Sequence, residues 1–418
     1  MMIFFNKTNK DKNISTTKTV PAGIETKYSE KSLKQQLTPL MGGVAVSLSV
    51  SLLAGGQAEA ASLNFTKVAE STGSFVPLSA PALNNNGTVA FVAELEQFYH
   101  QGLFTVSDGS VTQIADTYSS FYSFETFAIN DSGTVAFGAE SDERIQGIFT
   151  SSGGVITPII SASEPFSSDL FGLDLNESGT VAFFKRSNNG QGIEGIYTSQ
   201  NGTLTPLLTN FEFGNFVGIP PFPTINDSGT VAFESGGSIY TTNGGGTYTS
   251  VIDPSPFIVF DQFVSINNSG TVVFGGDFNT GGGGVFTARD GSLTTIATTN
   301  NTFLDFYNLA INDRGTVVFS AEIGGGAGIF TGSDPITDKV IAVGDEFFGS
   351  TISYLSYYRE GLNDSDQIAF YAQLANGTSG IYLAERGSEP QPVPEPTSVL
   401  GLLSVVAFGA CFKLKRQR

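Results

Sequence analysis

The sequence has no tryptophan, one histidine and one cysteine among its 418 residues, and only 14% of the residues are charged. A single cysteine, Cys411, excludes an intramolecular disulfide and a cysteine-based zinc cluster. Because His100 is the only histidine, a histidine triad and a multi-histidine metal site are excluded as well. Glycine (50 residues) and phenylalanine (36 residues) are abundant instead. This composition is typical of short strands and tight turns around a large apolar core.

Basic residues are scarce in the middle of the chain. Eleven of the 20 Lys and Arg residues lie within residues 1–60 or after residue 392, against five of the 39 Asp and Glu residues. The middle therefore carries nine basic and 34 acidic residues, a net charge near −25. Such a surface repels phosphate backbones, so we expect no binding to nucleic acid.

The N-terminal segment has the order of a secretory signal. Residues 1–37 contain seven lysines and three acids, residues 40–54 are uncharged and mostly apolar, and the small-residue pattern Ala58-Glu59-Ala60 follows. We predict that residues 1–60 are a signal with a long basic n-region, cleaved by signal peptidase after Ala60. A retained transmembrane helix is the alternative, but the apolar run would span only about 22 Å of a hydrocarbon core about 30 Å thick.

A second targeting pattern occupies residues 393–418. The triplet Pro394-Glu395-Pro396 precedes an uncharged span, residues 398–412, and a basic tail. Basic residues that follow an apolar span stay in the cytoplasm. The triplet, span and tail, in this order, resemble a PEP-CTERM sorting signal. The resemblance implies a Gram-negative host that makes exopolysaccharide, a transient association with the inner membrane, and removal of the signal by an exosortase.

The region between these signals repeats itself. The motif Asn-x-x-Gly-Thr-Val-Ala/Val-Phe occurs six times, and a degenerate seventh copy reads Asn-Asp-Ser-Asp-Gln-Ile-Ala-Phe. The seven copies begin at Asn84, Asn130, Asn176, Asn226, Asn267, Asn312 and Asn363. A second motif, close to Gly-Ile-Phe-Thr, follows each copy. The pattern resembles the tandem NxxGxxAF repeats of choice-of-anchor proteins, a group with no assigned activity.

Each repeat offers four short apolar runs separated by Gly, Asn, Asp and Ser, which is typical of a four-stranded propeller blade. We predict an all-β, seven-bladed β-propeller over residues 61–386, followed by a Pro-rich linker, residues 387–396. The seventh repeat ends after its third strand, and Phe65–Glu70 resemble the fourth strands of other repeats. We therefore predict that an N-terminal strand closes the last blade. An open β-repeat or solenoid is the alternative. Asp366 replaces glycine in the seventh copy, so we expect a distorted turn there.

The sequence offers little for catalysis. Acidic residues in the loops between repeats could form the carboxylate pair of a glycosidase. These acids are Asp253, Asp261, Asp305, Asp345, Glu346 and Glu360. Asn-Asp-x-Gly turns superficially resemble calcium loops, but turn chemistry already explains their residues. We therefore predict no catalytic residue, no cofactor and no metal ligand, with calcium as the open alternative.

The turns that recur in every repeat should lie on one face of the ring, and the loops that differ, including residues 211–223 and 257–261, on the other. We predict an exported, exosortase-sorted protein of the cell surface or extracellular matrix that acts as a binding or structural module. Its expected partner is exopolysaccharide or a surface protein, although the lack of tryptophan weakens a glycan site. A carbohydrate-active enzyme that uses loop carboxylates and a purely structural coat protein are the alternatives.

Overall fold

A computed structural model describes most of the predicted repeat region. The described residues are 48–49, 63–72, 75–95, 100–118, 121–141, 146–160, 170–185, 195–209, 222–235, 237–252, 257–300 and 302–387. The chain divides into two units, residues 1–43 and 44–418, and every described residue belongs to the second. The predicted processing residues Ala58, Ala60, Pro394, Glu395 and Pro396 lie outside the described ranges. Within those ranges, no helix combines the length and apolar character needed to cross a membrane.

The described residues form a seven-bladed β-propeller, as predicted, and each blade is an antiparallel sheet. Blade 1 contains Phe75–Pro77 with Ala82–Leu83, then Val89–Leu95, His100–Ser107 and Ser110–Asp116. Blade 2 contains Phe121–Ile129, Val135–Ser141, Gln146–Ser152 and Val155–Pro158. Blade 3 contains Leu170–Leu175, Val181–Lys185, Gly195–Gln200 and Thr203–Thr209. Blade 4 contains Thr224–Ile225, Val231–Ser235, Ser238–Thr242 and Thr249–Ser250.

Blade 5 contains Phe257–Ile266, Val272–Phe278, Gly283–Arg289 and Ser292–Thr298. Blade 6 contains Phe303–Ile311, Val317–Ile323, Gly326–Phe330 and Lys339–Ala342. Blade 7 contains Glu346–Phe347, Ser350–Ser356, Ile368–Leu374, Ser379–Arg386 and, from the N-terminal side, Leu63–Glu70. A 3₁₀ turn, Arg359–Gly361, lies between its first two long strands. The first strands of blades 1 to 6 contact one another in turn around a central channel, where the 3₁₀ turn of blade 7 contacts the first strands of blades 6 and 1.

The N-terminal strand closes the ring, which confirms the prediction. Leu63–Glu70 pairs antiparallel with Ser379–Arg386, from Leu63 opposite Arg386 to Glu70 opposite Gly380. The ring of Phe65 packs edge-on against Phe347 and Phe370 in the core of blade 7, at centroid distances of 5.2 and 6.2 Å. A two-residue strand, Leu48–Ser49, which falls within the predicted signal, pairs with the outer edge of this closing strand.

Every blade contains the same aromatic pair. The phenylalanine that ends the first repeat motif is fully buried and stacks on the Phe or Tyr of the second motif in the adjacent strand. In all seven blades the ring centroids lie 5.6 to 6.1 Å apart. The glycine of the second motif makes room for this ring, since a Cβ atom on Gly102 or Gly147 would overlap the phenylalanine two residues later. The two motifs thus encode a single packing unit, which is the aromatic pair formed by adjacent strands of one blade.

The core lies between the blades. Successive residues of a strand point to opposite faces of its sheet, and both faces are covered. In blade 2, Val135 and Phe137 pack toward blade 1, whereas Ala136 between them packs toward blade 3. Seven apolar clusters of this kind join all seven pairs of neighbouring blades, including blades 7 and 1. The pattern agrees with a closed ring and excludes the open solenoid.

The prediction of a distorted turn in the seventh copy is wrong. Asp366 adopts φ 60°, close to the φ 77° of Gly133 in the second copy, and its N–H donates to the Asn363 carbonyl oxygen at 3.1 Å as glycine does elsewhere. Aspartate tolerates this left-handed region better than most residues. Its carboxylate also accepts hydrogen bonds from Asn312 Nδ2 (2.8 Å) and Arg314 (3.2 Å), which anchor the turn.

We predict that removal of the closing strand destabilises the whole ring. A truncated protein that starts at Ser71 should melt lower or aggregate, because it exposes the edge of blade 7 and opens its contact with blade 1. A protein that starts at Ala61 and ends at Arg386 keeps every blade strand and serves as the control. Thermal unfolding and light scattering would compare the two. Equal melting temperatures and monomeric behaviour of both proteins would contradict a closed ring.

Candidate functional site

The repeat motif begins with a buried asparagine at the turn between the first and second strands of each blade. In blade 2, Asn130 is only 2% exposed. Its carbonyl oxygen accepts from Gly133 N (2.9 Å), and its Oδ1 accepts from Thr134 N (3.0 Å) and Ser132 Oγ (2.7 Å). Glycine is favoured at position 133 because the turn needs positive φ there. These contacts satisfy the acceptor atoms of asparagine and leave its amide N–H group to a neighbour.

The side-chain amide of each motif asparagine bonds to the next blade. Each motif asparagine donates from Nδ2 to the carbonyl oxygen of the following motif asparagine, at 2.9 to 3.2 Å. The seventh bond runs from Asn363 back to Asn84, at 3.1 Å, and completes the circle. We call Asn84, Asn130, Asn176, Asn226, Asn267, Asn312 and Asn363 the asparagine ring, and the end of the channel where it lies the turn face. All seven residues are at most 5% exposed. The ring ties every blade to its neighbour through buried polar bonds.

A second, more exposed circle lies just outside the first. Its members follow the ring residues directly, and each backbone N–H donates to the side chain of the next member at 2.6 to 3.0 Å. The acidic circle consists of Asn85, Asp131, Glu177, Asp227, Asn268, Asp313 and Asp364. The two amides separate carboxylates: Asn268 Nδ2 donates to Asp227 and to Asp313, each at 2.6 Å. Burial and nearby carboxylates raise the pKa of Glu177, whereas the hydrogen bond from Asp131 N opposes the rise.

Beneath the two circles, the channel is crossed by Arg359 of the 3₁₀ turn in blade 7. Its guanidinium donates to the carbonyl oxygens of Leu173 (3.3 Å) in blade 3 and of Phe222 (3.2 Å) and Pro223 (2.9 Å) at the entry to blade 4. Arg359 is 5% exposed. A polar cavity of about 170 Å³ lies between this arginine and the circles. Arg359 therefore links blade 7 to the opposite side of the ring.

Two carboxyl groups accompany the buried arginine. Glu360 Oε1 accepts from Arg359 Nε at 2.9 Å, and the Glu360 side chain is 17% exposed. Asp174 Oδ2 accepts from Thr224 Oγ1 (2.7 Å) and Ile225 N (2.8 Å), which joins blade 3 to blade 4. Burial and the neighbouring Asp174 carboxyl group, opposed by Arg359, raise the pKa of Glu360 to about 8. These polar groups satisfy one another, an arrangement typical of a structural plug.

Comparison with known proteins shows a partial family match. Residues 43–192 match the profile of a family of unknown function (DUF7453). No curated protein matches the chain significantly.

Solved structures match more of the chain. An oligogalacturonate lyase from Vibrio parahaemolyticus has a TM-score of 0.53 and 9% identity, over 84% of this chain and 100% of the lyase. An oligogalacturonate lyase in complex with manganese has a TM-score of 0.53 and 11% identity, over 82% and 99% of the two chains. TolB from Acinetobacter baumannii has a TM-score of 0.40 and 16% identity, over 62% of this chain, which spans 61% of that protein. At these identities the likeness concerns the propeller fold alone.

The structure describes the side chains of four of the six acids that the sequence suggests for a carboxylate pair. Asp345 accepts from Lys339 Nζ (2.8 Å) and Ala342 N (2.9 Å) and so stabilises a turn. Glu360 lies in the plug, Glu346 is exposed in blade 7, and Asp305 is exposed in blade 6. The side chains of Asp253 and Asp261 lie outside the described residues. Of the six, none is brought into a described pair with another.

His100 and the calcium alternative remain without a site. The His100 ring stacks on Tyr118 at 3.7 Å, at the end of the channel opposite the turn face. Among the described residues no three His, Cys, Asp or Glu side chains are placed to share a metal ion. The calcium alternative stays untested, because part of the chain lies outside those residues.

Sequence reasoning missed the asparagine ring, Asp174 and Arg359. Turn chemistry accounts for the motif asparagine only as a hydrogen-bond acceptor, a role that Asp or Ser can also fill. Asparagine in all seven copies was the signal that a donor as well as an acceptor is required. No comparable signal marks Arg359, whose partners lie 136 to 186 residues away in the sequence.

We predict that Asn130→Ala destabilises the protein by about 3 kcal/mol. The change removes one ring bond, leaves Thr134 N–H without its partner, and leaves the buried Asn176 carbonyl with only the bond from Gly179 N. Ser132→Ala, in the same turn, loses only one exposed hydroxyl and should cost less than about 1 kcal/mol. Denaturant unfolding measures both values. Similar losses for the two variants would argue against the ring as the main polar constraint.

We predict that Glu360 makes stability depend on pH. Because its pKa is raised in the folded protein from 4.5 to about 8, the folded chain holds a proton that the unfolded chain releases. This contribution is complete below the unfolded pKa and is lost as pH rises through the folded value. The melting temperature of the wild type should therefore fall by several degrees more between about pH 5 and pH 9 than that of Glu360→Gln. Glu346→Gln, an exposed glutamate of the same blade, should follow the wild type. Parallel curves for all three proteins would contradict the assignment.

Proposed function

We propose that the chain is an exported β-propeller of the cell surface or extracellular matrix that acts as a noncatalytic binding or structural module. The asparagine ring carries this proposal. The polar groups that recur in every repeat bond to one another across the turn face, so they serve the scaffold. At the opposite end of the channel, which we call the loop face, the second strands of the blades end and the third strands begin. The segments that connect these strands, and those that connect the blades, follow from there. Their sequences differ from blade to blade, which suits selective recognition.

The closing strand supports the proposed export and sorting. Leu63 lies opposite Arg386, so the chain enters and leaves the folded unit at the same end of one blade. The proposed cleavage after Ala60 precedes the closing strand, and removal of the segment after Pro396 follows the last strand. Signal peptidase and an exosortase would therefore leave all seven blades intact.

Charge favours some ligands over others. The middle of the chain is near −25, and the acidic circle places five carboxyl groups on the turn face. Like charges repel polyanions such as nucleic acid and polyuronates. An extracellular polysaccharide without acidic sugars, or a surface protein with basic groups, is the partner class that this surface accepts.

A carbohydrate-active enzyme is the second candidate. The likeness to oligogalacturonate lyase, over the full length of that chain, is the observation in its favour. Its named substrate is anionic, however, and would meet an acidic surface here. Turnover of a polysaccharide by the purified protein, abolished by Asp305→Asn, Glu360→Gln or another single carboxyl change, would support the enzyme. We expect no turnover by the wild type. His100→Ala and chelators should therefore have no enzymatic activity to abolish.

We predict that the extracellular form begins near Ala61 and lacks the residues after about Pro396. Mass spectrometry of material from the cell surface and medium would measure both ends. Pro394→Ala with Glu395→Ala should leave the protein in the inner membrane with its basic tail, whereas Asp290→Asn, an exposed change in blade 5, should not. Recovery of the tail, Lys413 to Arg418, on extracellular protein would refute the sorting proposal.

A further inference from the structure

The loop face presents one strand position that differs between blades in a regular way. In blades 2, 5, 6 and 7 the first strand contains a bulge near the loop face, and the residue after it pairs with the tenth residue beyond the motif asparagine. The four pairs are Ser123 with Glu140, Val259 with Asp277, Asp305 with Glu322, and Tyr354 with Gln373. A bulge re-aims the side chain that follows it, and bulges are frequent beside binding sites. The backbone position is therefore the same in these four blades, whereas the residue type at it differs.

Blades 6 and 7 are neighbours, and at this position blade 6 carries a carboxyl group and blade 7 an aromatic ring. Tyr354 is 53% exposed, and its ring packs edge-on against the buried Tyr371, with centroids 6.1 Å apart. Gln373, opposite Tyr354, donates to the Tyr371 hydroxyl at 2.8 Å. The Tyr354 ring is therefore held by its neighbours while much of its surface is in solvent. An exposed aromatic ring fixed in this way suits stacking on a flat, partly apolar ligand.

The neighbouring blade supplies negative charge. Asp305 and Glu322 are directly opposite each other on adjacent strands, and both are exposed. Like charges in this arrangement destabilise a sheet. Within the described residues, no ion pair joins either carboxyl group to a base. Tyr307 lies within electrostatic reach of both carboxyl groups and of Tyr354; burial and these neighbours raise its pKa to about 12. The four side chains therefore form one surface, which we call the tyrosine patch: Asp305, Tyr307, Glu322 and Tyr354.

We propose that the tyrosine patch binds a polysaccharide whose sugars carry amino groups. A sugar ring offers a flat array of C–H groups that packs on Tyr354, and its ammonium group complements Asp305 and Glu322. A uronate would bring carboxylates against the same two residues and be repelled. The proposal names a ligand for the loop face and so rests on the proposed binding function.

The test uses the mature protein, residues 61–396, and retention in gels that contain chitosan, dextran or polygalacturonate. We expect retention by chitosan and none by polygalacturonate. Tyr354→Ala should weaken chitosan binding roughly tenfold, the effect of about 1.4 kcal/mol. Asp305→Asn with Glu322→Gln should weaken it by a similar factor and make it less sensitive to salt.

Tyr248→Ala is the matched control. Tyr248 is 44% exposed and also packs edge-on against a tyrosine, Tyr240, at 5.0 Å, but it lies by the outer strand of blade 4. Its binding should equal that of the wild type. Equal effects of Tyr248→Ala and Tyr354→Ala, or stronger retention by polygalacturonate than by chitosan, would overturn the proposal. Chitosan binding that both patch variants leave unchanged would overturn the patch and leave the proposed binding function standing.

If the patch variants lose binding to a basic protein but bind every polysaccharide as the wild type does, the patch is not a glycan site and the proposal is overturned. Absence of retention by all three polysaccharides would overturn it together with the polysaccharide form of the proposed function. Export and processing are measured independently by mass spectrometry, so their failure is distinguishable. No variant should melt more than a few degrees below the wild type, since the changed residues are exposed, and Asp305→Asn with Glu322→Gln should melt slightly higher because it removes a like-charge pair.

Discussion

The asparagine ring is the constraint on which the rest of this structure depends. Each ring residue uses both ends of its amide: Oδ1 shapes the turn of its own blade, and Nδ2 bonds to the next blade. The carbonyl oxygen that receives this bond is buried, and a buried polar group without a partner costs about 1 to 3 kcal/mol. Aspartate lacks the donor and serine the reach. The ring therefore requires asparagine seven times, and it closes only when all seven blades are present.

The ring also explains why repeat length is free to vary. The motif asparagines are separated by 41 to 51 residues, yet each makes the same bond to its successor. Length differences fall in connections outside the motif turn, such as the one between Phe330 and Lys339 in blade 6. Around this fixed centre, the stacked aromatic pair sets the internal packing of each blade, and small residues between large ones fill the interfaces. Closure by Leu63–Glu70 then removes the edge that the seventh blade would otherwise expose.

One end of the channel is consequently structural and the other is free to change. On the turn face, backbone and side-chain groups satisfy one another in two circles, and Arg359 crosses the channel beneath them. On the loop face, the bulge in the first strand repeats while the residue after it changes from serine to aspartate to tyrosine. A rigid ring with one variable end suits recognition, because loop changes do not disturb the bonds that hold the blades.

The amino-acid sequence by itself determined the number of blades, their four strands and the N-terminal closing strand. These follow from local signals: apolar runs, turn residues, and a repeat that lacks its fourth strand at one terminus and has it at the other. It also supports the two targeting segments, most of which lie outside the described part of the chain. Only the tertiary structure decided the roles of the motif asparagine, Asp174, Arg359 and Asp366. Their partners lie 41 to 186 residues away, or, for the bond that closes the ring, 279 residues away. Such contacts exist only after the blades have met, because a local pattern specifies which atoms a residue offers and the closed ring specifies which atoms receive them.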